Sequence, residues 1–318
     1  MNKRHINLGV LGPGNIAHTV IKAIKDVEGI NKYAVASRTM EKAEAFKNEF
    51  NFTKAYGSYE ELLQDDKVDL VYIATPHAFH YEQMLMCIKY KKNIICEKAF
   101  CLNANHAKHI LDLAKENNIF ITEALLTGFL PSRAVINELL ESSIIGEVKS
   151  FYGVFGNELM HVERVINKDL GGGALFDIGI YPLYFCLSTF GWNPTIIDKQ
   201  IEMYNDVDKH LIVKFKYPNN IEATVETSIS ENLGIFGEIT GTKGKIIIQN
   251  IARPDKIEVY DNNGKLIKKI EDLRSTTGYE YEFIEARDTI LEGKIETKAM
   301  PHKDTIRLLE CIDMILEQ

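Results

Sequence analysis

The chain has 318 residues, 45% hydrophobic and 26% charged, a balance that excludes disordered, collagen-like and disulfide-scaffold classes. Such a length fits about two domains, each able to bury its own core. The net charge of −8 argues against a general nucleic-acid binder. Residues 1–123 hold 16 Lys and Arg against 15 Asp and Glu, whereas 124–318 hold 21 against 30. The first part therefore suits an anionic cofactor, and the second disfavours a polyanionic substrate.

In chain order, residues 1–123 alternate apolar runs with amphipathic helical patterns. The runs are Ile6–Leu11, Tyr33–Ser37, Val68–Thr75, Asn93–Glu97 and Ile119–Glu123. Helices are predicted near 15–27, 40–50, 58–64, 78–91 and 103–117. Strands buried on both faces read as continuous apolar runs, and this alternation predicts a doubly wound parallel α/β sheet of the Rossmann type.

The pattern changes after residue 123. A helix near 131–142 leads to an alternating stretch at Val148–Phe155, a glycine-rich turn and a helix over 174–190. Leu211, Val213, Phe215 and Tyr217 then alternate with polar residues, as do Ile221, Ala223, Val225 and Thr227. Pro218-Asn219-Asn220 between them marks a hairpin, and 241–244 and 261–264 mark further turns. A C-terminal α+β domain over 124–318 follows, built on a large, mostly antiparallel open sheet. One face is covered by helices and the other is free to meet a partner. Helices near 279–293 and 303–317 close the chain, and the last is expected to pack back on the first domain.

The five cysteines, Cys87, Cys96, Cys101, Cys186 and Cys311, are odd in number and form no C-x-x-C pair, so they read as buried, reduced thiols. The basic start Met-Asn-Lys-Arg-His is followed by a stretch interrupted at Asn7 and Gly12-Pro13-Gly14, without a cleavage-like site. No run is expected to approach the ~20 apolar residues of a membrane span. A soluble, cytoplasmic protein is expected, with no membrane or nucleic-acid partner.

Gly12-Pro13-Gly14-Asn15-Ile16-Ala17 fits G-x-G-x-x-A between the first strand and the first helix. Gly12 and Gly14 allow backbone to approach a pyrophosphate, and the helix-start amides at Asn15 and Ile16 stabilise its charge. An acid at the end of the second strand would select NAD through the ribose 2′-hydroxyl; here stand Ser37 and Arg38, which suit the 2′-phosphate of NADP. NADP is therefore favoured, with NAD as the alternative.

Ligands in open α/β sheets bind outside the carboxyl ends of the strands. Two such ends read Ala74-Thr75-Pro76-His77-Ala78-Phe79-His80 and Cys96-Glu97-Lys98-Ala99. Thr75, Pro76, His80, Glu97 and Lys98 are thereby candidates to line the cofactor site. Lys98 is also placed to hydrogen-bond a substrate hydroxyl. The His77/His80 spacing lacks a third ligand, His106 and His109 lie on a polar helix, and no metal site is expected. In the second half, Gly171-Gly172-Gly173-Ala174-Leu175-Phe176-Asp177-Ile178-Gly179-Ile180-Tyr181 sets Asp177 and Tyr181 four apart, on one face if helical.

Together, Gly12–Ala17, Ala74-Thr75-Pro76, Glu97-Lys98, Glu123-Ala124 and the Gly-Gly-Gly-Ala-Leu-x-Asp-x-Gly-x-Tyr run resemble the glucose-fructose oxidoreductase / inositol dehydrogenase (Gfo/Idh/MocA) family, in family order over nearly the whole chain. Tyr181, where many members carry His, is similar to the branch of dimeric dihydrodiol dehydrogenases and NADP-dependent D-xylose dehydrogenases. The resemblance implies that Lys98 and Tyr181 are the catalytic pair and that the protein forms a homodimer or higher homo-oligomer through the open sheet face. Ala99 stands where the family has Pro after Glu-Lys. Leu126-Thr127-Gly128-Phe129-Leu130-Pro131 replaces the branch's Trp-x-Arg-Phe-x-Pro.

The expected activity is hydride transfer between a nicotinamide cofactor and a sugar, polyol or related small alcohol or carbonyl compound. Tyr181 would act as general base, or as acid in reduction, aided by the Lys98 ammonium, which favours a phenolate. Asp177 would orient the substrate or Lys98. The alternatives are a catalytically weak cofactor-binding sensor of the same fold, suggested by Ala99 and Gly128, and an NAD-dependent glycoside hydrolase.

Overall fold

The computed structural model describes residues 5–273 and 277–317. They divide into two compact units, 5–125 with 277–306, and 126–273 with 307–317.

The first unit carries β1 (Ile6–Leu11), α1 (Asn15–Ala23), β2 (Ile30–Ala36), α2 (Met40–Phe50), β3 (Lys54–Tyr56) and α3 (Tyr59–Leu63). After these come β4 (Leu70–Ile73), α4 (His80–Lys89), β5 (Asn93–Glu97), α5 (Ala104–Glu116) and β6 (Ile121–Ala124). All strand pairs are parallel, in the order β3-β2-β1-β4-β5-β6. The sheet has six strands rather than the five expected. β3 escaped the sequence reading because it is three residues long with no fully buried side chain.

The apolar runs became strands because both sheet faces are covered. Leu8, Val10, Val35, Leu70, Tyr72 and Ile95 share one core with Val20 and Ile21 of α1 and Phe46 of α2. Each such side chain contributes about 1.5–3 kcal/mol through burial. The chain returns late to this core through α9 (Glu280–Leu291), whose Phe283 and Ala286 are fully buried in it. The Ile121 N–H also donates to the Ile295 carbonyl at 3.0 Å. Because the strands are parallel, their carboxyl ends share one edge, and the strand order reverses beside β1, where a ligand crevice forms in such sheets.

The second unit contains α6 (Leu126–Phe129), α7 (Ser132–Glu141), β7 (Val148–Gly156), α8 (Ile180–Phe190), β8 (Thr195–Tyr204), β9 (Val207–Lys216) and β10 (Glu222–Ser228). It continues with β11 (Gly234–Gly241), β12 (Gly244–Gln249), β13 (Lys256–Asp261) and β14 (Leu266–Ile270). Its eight strands run in the order β14-β13-β12-β11-β7-β10-β9-β8. Every pairing is antiparallel except β7 with β10. The expected hairpins close at 217–221, 241–244 and 261–264. Phe151 on one sheet face packs its ring 5.5 Å from Phe185 and 5.3 Å from Phe190 of α8. A final helix, α10 (His302–Leu316), buries Leu308, Leu309, Ile312 and Ile315.

Two expectations need correction here. The helix predicted over 174–190 begins instead as a π-helical turn, Leu175–Gly179, and becomes α-helical only at Ile180. In addition, Lys168–Phe190 is long and apolar enough to cross a membrane by length and composition, which the sequence reading did not anticipate. Its most apolar window is 83% buried inside the protein, as in the core helix of a globular domain. The glycines at 171–173 had obscured the run.

Candidate active site

The first unit sets four of the predicted segments at the carboxyl ends of adjacent strands. The glycine turn follows β1, Ser37-Arg38 follows β2, Thr75-Pro76 follows β4 and Lys98 follows β5. Gly12 has φ +86°, and a Cβ there would lie 2.7 Å from Thr75 Cγ2, so both conformation and space require glycine. Gly14 caps α1 without a side-chain hydrogen bond, and the first turn holds no acidic residue. The positive end of the helix dipole is thus not neutralised by the chain itself. Exposed Asn15 and half-buried Ile16 open that helix. Ser37 is buried and accepts weakly from the Thr39 N–H at 3.5 Å, while Arg38 is exposed. No acid follows β2 before Glu41. These features fit a dinucleotide with an added phosphate: a cradle that tolerates no Cβ, an open helix start, and a guanidinium at the strand end.

The next strand ends are tied together. Half-buried Thr75 donates from Oγ1 to Gln83 Oε1 at 2.7 Å, with half-buried Pro76 beside it. His80 is fully buried, its Nδ1 lying 2.9 Å from the Ala99 carbonyl and its Nε2 2.9 Å from the Thr75 carbonyl. The imidazole therefore spans two backbone segments rather than presenting a nitrogen to the surface. Burial lowers its pKa, outweighing the carbonyl acceptors that favour the charged ring. Glu97 is buried and accepts from the Tyr72 hydroxyl at 2.5 Å. Lys98 is half-buried, and the Lys98–Ala99 peptide bond is cis.

In the second unit, Asp177 sits within the π-helical turn, buried, with Oδ1 accepting from Arg164 Nη1 at 2.7 Å. Tyr181 is the second residue of α8, half-buried, with its ring 6.0 Å from that of Phe155. The two lie in turns of different spacing, so the simple four-residue facing expected of one regular helix does not apply. The segment is anchored by Asp208 of β9, which accepts from the Leu175 N–H at 2.7 Å. Gly173 has φ +120°, and a Cβ there would fall 2.2 Å from Asp208 Oδ1. Burial pushes Asp208 up to about 7, against the backbone N–H donors that pull it down.

Sequence reasoning missed Arg164, Asp208 and the buried Glu123 as members of these networks. Glu123 Oε1 accepts from the Phe100 N–H at 3.1 Å and Oε2 from the Thr305 hydroxyl at 3.0 Å. Charged residues inside apolar strands, as at 123 and 208, were the available signal; Arg164 had none. Among the described residues, no group of three or more His, Cys, Asp or Glu is arranged to hold a metal ion.

Comparison with known proteins agrees with this architecture. Residues 6–124 match the oxidoreductase family with an NAD-binding Rossmann fold, and residues 134–247 match the GFO/IDH/MocA C-terminal domain. The chain is 33% identical over 322 residues to trans-1,2-dihydrobenzene-1,2-diol dehydrogenase of Xenopus tropicalis, covering 98% of this chain and 97% of that protein. It is 28% identical over 362 residues to D-xylose 1-dehydrogenase (NADP(+)) of Hypocrea jecorina, covering 100% and 93%. In fold it is similar to KijD10, a 3-ketoreductase from Actinomadura kijaniata in complex with NADP and TDP-benzene. That match has TM-score 0.91 at 20% identity, over 98% and 97% of the two chains. It is also similar to levoglucosan dehydrogenase in complex with NADH and levoglucosan, with TM-score 0.85 at 20% identity over 98% and 96%. The chain belongs to the Gfo/Idh/MocA family of NAD(P)-dependent oxidoreductases.

Proposed function

We propose that this protein transfers hydride between NADP and a sugar, polyol or related small alcohol or carbonyl compound, with Lys98 and Tyr181 handling the proton. One observation carries the reading. A single edge of the parallel sheet presents the Gly12 cradle, the Arg38 guanidinium and Lys98, with no acid at the end of β2. The 33% identity to a dihydrodiol dehydrogenase supports the same class of reaction.

When bound, the nicotinamide supplies the hydride chemistry. The chain supplies binding and proton transfer. Gly12, Gly14 and the α1 amides at Asn15 and Ile16 hold the pyrophosphate, and Ser37 and Arg38 hold the 2′-phosphate. Thr75, Pro76, Glu97 and Lys98 shape the site, and His80 supports it from within. Tyr181 takes the hydroxyl proton in oxidation and returns it in reduction. The Lys98 ammonium stabilises negative charge on the reacting oxygen. Asp177, held by Arg164, orients the substrate-binding side chains.

In this reading the first unit binds the dinucleotide, and the second binds the substrate and forms a homodimer. Tyr152, Ile212, Phe236 and Ile247 are half-buried on the sheet face opposite Phe151 and support such pairing. Five buried cysteines without disulfides support a cytoplasmic location.

The test is a panel of aldoses, polyols, dihydrodiols and dicarbonyls with NADP+ or NAD+ for oxidation, and with NADPH or NADH for reduction, followed by NADPH and NADH absorbance. Turnover with at least one substrate is expected, and Lys98→Met and Tyr181→Phe should each lower kcat at least ~100-fold while NADP+ still binds. Near-normal kcat in either variant refutes that residue's role.

A further inference from the structure

We infer that Glu123 is a positioning residue that fixes the backbone carrying Lys98, by gripping the Ala99–Phe100 peptide unit. This rests on the reading that Lys98 takes part in the reaction.

The geometry is specific. Glu123 lies in β6, opposite Cys96 of β5, and is 1% exposed. Its Oε1 accepts the Phe100 N–H, and the carbonyl of the same peptide unit, that of Ala99, lies 2.9 Å from His80 Nδ1. One amide plane is therefore held at both polar ends, by a carboxylate on one side and an imidazole on the other. Such a chain of hydrogen bonds polarises the amide and strengthens each member. Oε2 of Glu123 is fixed in turn by Thr305 of α10, so the carboxylate has no remaining rotational freedom without losing a bond. Lys98 is one residue before this clamped plane.

The surroundings show what it costs to keep the acid there. Burial, opposed by the Thr305 and Phe100 hydrogen bonds and by the Lys98 charge, pushes Glu123 up to about 7, and Glu97 adds repulsion. Cys96 and Cys101 are the other titratable groups near it, and burial keeps both as thiols. A buried carboxyl with these penalties is a poor choice for stability alone. Its two hydrogen bonds instead suit a role in setting the position of the strand-end lysine.

The experiment compares Glu123→Leu, which removes the acceptor, with Glu123→Gln, which keeps an amide oxygen for the Phe100 N–H. Competitive acetylation of Lys98 with acetic anhydride is read by peptide mass spectrometry, with exposed Lys115 as internal standard. Lys98 is expected to react about fivefold faster in Glu123→Leu and within twofold of the parent in Glu123→Gln. With the most active panel substrate, Glu123→Leu should lose at least tenfold in kcat with NADP+ affinity changed less than threefold, and Glu123→Gln should recover most of it. Unchanged Lys98 reactivity in Glu123→Leu, or equal losses in both variants, overturns the inference. Should Glu123→Leu not fold, Thr305→Val decides: a twofold or greater rise in Lys98 reactivity supports the clamp and none overturns it. A near-normal kcat in Lys98→Met sinks the catalytic reading instead and leaves the labelling result standing.

Discussion

Arg164 grips Asp177 across 2.7 Å, a partly exposed guanidinium holding a carboxylate that is itself buried. Removing the guanidinium takes one charged partner from a buried acid in the turn at the head of α8, three residues before the helix that carries Tyr181. Arg164→Met should therefore cost about 1–3 kcal/mol in urea unfolding, below the cost of breaking a fully buried pair. It should also lower kcat/KM about tenfold. An unchanged midpoint and rate would mean that Asp177 is held by its other neighbours.

Asp208 sets a pH dependence of stability. Its folded pKa of about 7 lies above the ordinary carboxylate value, so the folded chain binds the extra proton between about pH 4 and 7. Its contribution is fully present below the unfolded value and is lost as pH rises through 7. Asp208→Asn keeps an acceptor for the Leu175 N–H but never ionises. Relative to the parent it should gain about 2–3 kcal/mol between pH 5 and 8, measured by denaturant midpoints. A parallel pair of stability curves would contradict this.

Glu282 presents a second buried acid, with both carboxylate oxygens lacking a hydrogen-bond partner among the described residues. Burial, with repulsion from Glu97 and Glu280, holds its pKa well above the ordinary range. Replacing an unpaired buried carboxyl by an apolar side chain is favourable. Glu282→Leu should raise stability by about 1–3 kcal/mol at pH 7.5, and by less at pH 5, where ionisation of the acid in the unfolded chain favours unfolding less.

In the proposed reading, cofactor choice turns on Arg38. Arg38→Asp should weaken NADP+ binding at least tenfold more than NAD+ binding in fluorescence titrations. Gly12→Ala, by contrast, should weaken both together, because its Cβ would meet Thr75 whichever ribose is present. Equal effects of Arg38→Asp on the two cofactors would remove the guanidinium from the 2′-phosphate.

These networks were not equally legible in the sequence. β1, β4 and β5 could be read because strands covered on both faces become unbroken apolar runs, and the hairpins because Asn and Gly mark their turns. β8 could not, because it is an edge strand with Asp198, Lys199, Gln200 and Glu202 in its middle, and an edge needs no apolar alternation. The π-helical turn at 175–179 was hidden because its residues suit a regular helix equally well. Glu123, Asp208 and Thr305 owe their significance to partners 23, 33 and 182 residues away. Polar residues paired over such separations leave no periodic trace. The glycine cradle and the strand-end Lys98 were legible because local geometry alone dictates them.

The late return of α9 to the first core bears on biosynthesis. Phe283 fills the interior beside Tyr72, their ring centres 5.4 Å apart, and Ile121 awaits the Ile295 carbonyl. A ribosome will have made about nine-tenths of the polypeptide before it adds these residues. Until then the apolar sheet of the first unit lacks the cover that Phe283 and Ala286 provide. A fragment ending near residue 273 should remain in that unfinished condition, and supplying the missing tail in trans should complete it.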